Sequence, residues 1–147
     1  MKKTFFTTAL TLLILINSMA QKSAIFSTDG KAIKGYDPVA FFSQSNAVIG
    51  TDSLSYVWQD ATWLFSTRAN LELFKKDPEK YAPQYGGYCA YGTSQGHKAP
   101  TQTDTWSIVN DKLYFNYNKK VQEMWTKDQQ ALIQKADKQW PEIEDKE

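Results

Sequence analysis

The sequence predicts a small α+β domain in which short antiparallel strands carry helices packed across them. Three observations support this. Two pairs of short aromatic and β-branched runs flank polar turn residues: Tyr56-Val57-Trp58 with Thr62-Trp63-Leu64-Phe65-Ser66, and Trp106-Ser107-Ile108-Val109 with Lys112-Leu113-Tyr114-Phe115-Asn116. Each pair is followed by a segment whose apolar residues recur three and four apart, the period of a helix with one buried side. All five tryptophans and all eight tyrosines lie beyond residue 20, and large rings let a chain of this size fold without crosslinks.

The elements follow in order. Lys2 and Lys3 precede an apolar run, Phe5 to Ile16, that is short for a bilayer span, and Ser18-Met19-Ala20 offers small residues for cleavage before Gln21. Residues 1–20 are expected to be a signal peptide and the protein to be exported, periplasmic or secreted; the alternative is a retained N-terminal anchor. Residues 21–31 read as a flexible lead-in and residues 32–143 as the domain. Gly35 and Asp37-Pro38 mark turns ahead of Val39-Ala40-Phe41-Phe42. Gln59-Asp60-Ala61 closes the first hairpin, and Ser66 or Thr67 caps a helix whose buried side includes Leu71 and Phe74. Pro78 stops that helix.

The second half repeats this order. Asn110-Asp111 closes a hairpin, and Asn116 or Asn118 caps a helix carrying Val121, Met124, Trp125 and, further on, Leu132 and Ile133. Asp60 to Asp77 can be laid over Asp111 to Asp128 without a gap, placing Phe74 on Trp125, although the strand alternation is then out of phase. Pro141 is expected to end the last helix, and residues 144–147 to form an acidic tail.

Charge excludes some function classes. Cleavage removes two of the 17 basic residues and none of the 16 acidic ones, leaving a net charge of −1. Nucleic acid is not an expected partner, since phosphate binding needs a basic surplus on one face. No basic amphipathic helix points to a membrane surface, and no stable membrane insertion is expected after signal cleavage. There is no phosphate-cradling glycine loop and no pair of catalytic carboxylates.

The one cysteine lies in Tyr85-Gly86-Gly87-Tyr88-Cys89-Ala90-Tyr91-Gly92. A single cysteine cannot form an intrachain disulfide. One reading makes Cys89 a soft-metal ligand, since thiolates prefer Cu(I) and glycines let a ligand approach the backbone. The other makes it a small hydrophobe in an aromatic core. His97, the only histidine, lies eight residues on and could assist at a copper or zinc site, or it is an exposed loop residue. Met124 could add a thioether, or it fills a gap in the core. Tyr81, Tyr85, Tyr88 and Tyr91 could line a flat hydrophobic or cation-binding pocket, or act as core spokes with bonded hydroxyls. A Cys-His nucleophile pair lacks an evident orienting partner, though Asp104 and Asn110 exist, and no enzyme is expected.

Gly35-Tyr36-Asp37-Pro38-Val39-Ala40-Phe41-Phe42, Trp63-Leu64-Phe65-Ser66 and Phe74-Lys75-Lys76-Asp77-Pro78-Glu79-Lys80-Tyr81 together resemble the YHS domain. The chain is similar over most of its length to the small exported YHS-domain proteins. Some YHS-type domains accompany heavy-metal proteins, including copper transporters, and carry cysteines in the first two of these motifs. Here Ala40, Ser66 and Asn70 stand at those places, so that metal set is absent. The resulting expectation is an exported, non-enzymatic YHS-type binding module. Its first version binds or traffics a soft metal, copper, through Cys89 with His97 and Met124. The alternative is an exported-protein-interaction or small-ligand module in which Cys89 is structural.

Overall fold

The computed structural model describes residues 23–146. The expected signal peptide, residues 1–20, lies outside them. The chain is mixed α+β, as the sequence predicts, with a four-stranded sheet and a separate two-stranded hairpin among the described residues.

The first sheet is built from β1 (Ser27–Thr28), β2 (Lys31–Ala32), β3 (Thr51–Trp58) and β4 (Ala61–Phe65), in the order β1-β2-β4-β3. β1 and β2 form a hairpin around Asp29 and Gly30, and β2 joins β4 in parallel through Lys31 and Thr62. The fold therefore begins earlier than the sequence suggests. Ile25 is buried, and Ser27, Thr28 and Lys31 of the expected lead-in are in strands. A segment too short and polar to read as a strand forms its own hairpin here, and Lys31 joins that hairpin to β4.

α1 (Pro38–Ser43) packs its buried Val39 and Phe41 under this sheet, and Phe41 also meets Phe115 edge-on at 5.3 Å. α2 (Arg68–Lys76) follows β4, and Asp77 both ends it and caps the short α3 (Pro78–Tyr81). A 3-10 turn over Gln84–Gly87 leads to α4 (Ala90–Ser94). β5 (Gln102–Val109) and β6 (Lys112–Asn116) form the second hairpin, followed by α5 (Lys119–Lys127) and α6 (Gln129–Ile143).

The two hairpin–helix units match element for element. Both first strands have eight residues, both second strands five and both helices nine. Each boundary recurs 51 positions later: Thr51 and Gln102, Ala61 and Lys112, Arg68 and Lys119. Gln59 and Asp60 both have positive φ, as do Asn110 and Asp111. Two left-handed residues make the tight turn whose twist suits a hairpin. Tyr56 pairs with Trp63 as Ser107 pairs with Tyr114, and both ladders are interrupted nearer the start of the first strand. Thr67 accepts from the Asn70 N–H and Asn118 from the Val121 N–H, at 3.1 and 2.9 Å. Phe74 lies 5.0 Å from Trp63 and Trp125 lies 5.5 Å from Tyr114, at matching places in two separate cores. β4 and β6 are buried over most of their length on both faces, so their sequences do not alternate and the correspondence is hidden from a two-residue pattern.

Two helical expectations need correction. The helix after Asn118 does not run on to Leu132 and Ile133: it breaks at Asp128, and those residues belong to α6. Pro141 does not end α6, which continues to Ile143. Ile143 is buried, and the Lys98 ammonium donates to the carbonyls of Glu144 and Lys146. That cation suits the negative end of the helix dipole and holds the turn beyond the proline.

Candidate functional site

Cys89 is the N-cap of α4. Its Sγ accepts from the Gly92 N–H at 3.4 Å and donates to Asn116 Oδ1 at 3.6 Å. Only 1% of the residue is exposed. Burial pushes the thiol pKa up, opposed by the backbone N–H groups of Gly92, Tyr117 and Tyr91. Thiolate is the nucleophile and the metal ligand, so desolvation works against both roles.

Cys89 has a counterpart in the first unit at Asp37, 52 positions earlier and so one residue out of the 51-residue register. Asp37 caps α1 as Cys89 caps α4. Its Oδ1 accepts from the N–H groups of Val39 and Ala40 at 2.9 and 3.3 Å. Its Oδ2 accepts from the Ser66 N–H, the Ser66 hydroxyl and the Asn70 amide at 2.8, 2.7 and 2.7 Å. Both residues tie the start of a helix to the end of a hairpin. Ser66 and Tyr117 are 51 positions apart and follow β4 and β6 respectively. The thiol thus stands where the first unit places a carboxylate, in a structural joint.

The other expected metal ligands have different surroundings. His97 is exposed, and its N–H donates to the Gly92 carbonyl at 3.2 Å. Met124 is 42% exposed, because Trp125 beside it occupies the core; the core-filling alternative for Met124 is therefore corrected. Among the described residues no group of three or more His, Cys, Asp or Glu side chains is placed to hold a metal ion. The buried Asn116 Nδ2 and Trp125 Nε1 have no hydrogen-bond partner among the described residues.

The four tyrosines divide. Tyr81 sits in the first core against Phe42 at 5.7 Å, and Tyr88 donates to the Ser23 carbonyl at 2.8 Å. Tyr91 packs half-buried against the second core. Tyr85 differs: it has φ +56° within the 3-10 turn, and its hydroxyl donates to Asp137 Oδ1 at 2.8 Å. Its pKa is raised far above the usual phenol range, by burial first and then by the hydrogen bond to and charge of Asp137. A bulky residue in the left-handed region is strained and is held there by its surroundings. Gly86 beside it has φ +61°, and a Cβ there would lie 1.7 Å from the Ala24 carbonyl oxygen.

Tyr85 opens onto a cleft of about 420 Å³ between the two cores. Trp58 and Gln59 at the tip of the first hairpin, the turn residues Gln84 to Gly86, and Asp137, Trp140 and Glu144 near the end of the last helix all line it. The volume falls within the range of small-molecule sites. Sequence reasoning singles out Tyr85 but misses its companions. A signal existed, because Asp137, Trp140 and Glu144 are spaced i, i+3 and i+7 and so share one side of a helix. The expected stop at Pro141 concealed it.

Among the described residues no helix is long and apolar enough to cross a membrane. Compared with protein-family models, with curated proteins and with solved structures, the chain matches none.

Proposed function

We propose that this chain is an exported, non-enzymatic binding module of the YHS type, with a structural cysteine and a small-ligand site in the cleft between its two cores. The observation that carries this reading is the cleft itself: about 420 Å³ lined by Trp58, Tyr85 and Trp140, with Asp137 held by the Tyr85 hydroxyl. Concave sites with aromatic walls and a few fixed polar groups are the usual form of a small-ligand pocket. The thiol, by contrast, is buried and already engaged in a helix cap.

Titrating labelled protein with small cationic, anionic and neutral fragments, followed by backbone and indole N–H resonances, tests the proposal. Shifts concentrated at Trp58, Gln84 to Gly86 and Asp137 to Glu144 are expected for at least one charge class. If no fragment moves those signals while Cu(I) binds one-to-one and shifts Cys89 and His97, the copper reading replaces this one. N-terminal sequencing of protein recovered outside the cytoplasm should begin at Gln21 and tests export separately.

A further inference from the structure

We infer that the cleft takes an organic cation, an alkylammonium or quaternary ammonium head. This rests on the cleft being a ligand site and adds the charge class of the ligand. The lining contains no lysine, arginine or histidine, and its only charged side chains are Asp137 and Glu144. Neither carboxylate forms an ion pair among the described residues, whose ion pairs are Lys31–Asp52 and Lys75–Glu72. The Tyr85 hydroxyl occupies Asp137 Oδ1, and Oδ2 has no hydrogen-bond partner among the described residues.

Three rings complete the environment. Trp58, Tyr85 and Trp140 all line this one space, and the face of an aromatic ring attracts a cation through its quadrupole. Trp140 already receives one ammonium, that of Lys98, 5.8 Å from its centroid, although Lys98 does not line the cleft. An anion would meet two carboxylates. A neutral apolar ligand would desolvate them without compensation, which disfavours it. An ammonium carrying alkyl groups satisfies the rings and the acids together. Tyr85, fixed by its backbone conformation and its bond to Asp137, sets ring and carboxylate in place before a ligand arrives.

The test compares choline with 3,3-dimethylbutan-1-ol, its neutral isostere, by tryptophan fluorescence and by the cleft's N–H resonances. Choline should bind more tightly, and higher salt should weaken choline alone. Asp137→Asn and Glu144→Gln each preserve shape and should lower choline affinity about twofold to fivefold, the scale of an exposed charge pair. They should leave dimethylbutanol binding no weaker, since removing a carboxylate also removes the cost of desolvating it, with circular dichroism confirming the fold. Equal binding of the two probes overturns the inference and leaves a neutral aromatic pocket. Shifts with anionic or other neutral fragments but not with choline also overturn it, while the cleft remains a ligand site. No cleft response to any fragment removes both the inference and the reading beneath it.

Discussion

Replacing Asp37 by alanine should destabilise the protein far more than replacing Cys89 by alanine, although the two occupy equivalent joints. Asp37 is fully buried, and its carboxylate accepts five hydrogen bonds from Val39, Ala40, Ser66 and Asn70. A hydrogen bond to a charged group contributes about 1.5–3 kcal/mol, and these five share one acceptor group and do not add. Removing the carboxylate also relieves the cost of burying a charge without a basic partner, which is several kcal/mol. The net loss should be about 3–5 kcal/mol, the level reached when a buried network loses its centre. For a domain of this size that lowers the melting temperature by roughly 10–20 °C. Cys89 accepts from Gly92 and donates to Asn116 through a weakly bonding sulfur. Its replacement should cost about 1–2 kcal/mol, mostly lost packing. Urea unfolding at pH 7 measures both, provided the slopes agree. A loss below about 1 kcal/mol for Asp37→Ala, or equal losses for the two variants, would refute the reasoning, since these hydrogen-bond counts could not then set the difference.

Other outcomes follow from the same geometry. Native Cys89 should react slowly with a disulfide reagent near neutral pH and promptly in denaturant, because the thiol is buried and its pKa is raised; rapid native labelling would contradict this. Anaerobic Cu(I) titration against a competing chelator should show no tight site that Cys89→Ser removes; a one-to-one site lost in that variant would restore the metal reading and call for His97 and Met124 variants. Stability should fall with alkali. Tyr85 and Tyr88 have raised pKa values, and that of Tyr114 is pushed up to about 12, by burial first in each case. Above about pH 10 the unfolded tyrosines lose protons that the folded ones keep, so stability present below that pH is lost progressively towards pH 12 and beyond. Tyr85→Phe should flatten that slope, and urea midpoints from pH 8 to 11 that stay constant would count against the burial argument. Gly86→Ala should cost more than about 3 kcal/mol, through positive φ and the overlap with the Ala24 carbonyl; a variant as stable as the parent would contradict that packing.

Much of the architecture was legible because it is local. The turn pairs Gln59-Asp60 and Asn110-Asp111, the caps Thr67 and Asn118, and the ring-rich strands each specify their own segment. The gap-free overlay of Asp60–Asp77 on Asp111–Asp128 marks matching places in two structural units. What escaped depends on distant contacts. Ser27 to Ala32 has little strand character, and it is strand here through its own hairpin and the Lys31 pairing with β4. Pro141 breaks helices by local rules, yet here burial of Ile143 and the Lys98 contacts carry α6 past it. The partial exposure of Met124 depends on which residue of α5 fills the core, and Trp125 is the larger. Cys89 kept both its readings because nothing in one sequence shows that the opposite joint uses Asp37.

That joint also bears on why the cleft, and not the cysteine, is the place to seek function. In the first unit the connection between helix start and hairpin end is a carboxylate with every oxygen engaged. In the second a thiol makes the same connection with fewer and weaker bonds, and the neighbouring Asn116 Nδ2 has no hydrogen-bond partner among the described residues. The side chain that caps α4 thus makes fewer hydrogen bonds than the one that caps α1, and α4 packs closely on α6. α6 supplies Asp137 and Trp140 to the cleft and its C-cap supplies Glu144, while Trp58 comes from the first unit's hairpin. A ligand held in the cleft would add contacts from one core to the other and brace the second unit through α6. Binding there should stabilise the second unit against local opening, and amide exchange in α6 should slow on ligand addition more than exchange in α2. Equal protection of the two helices would mean that the domain responds as a whole, and that the weaker cap has no bearing on the site.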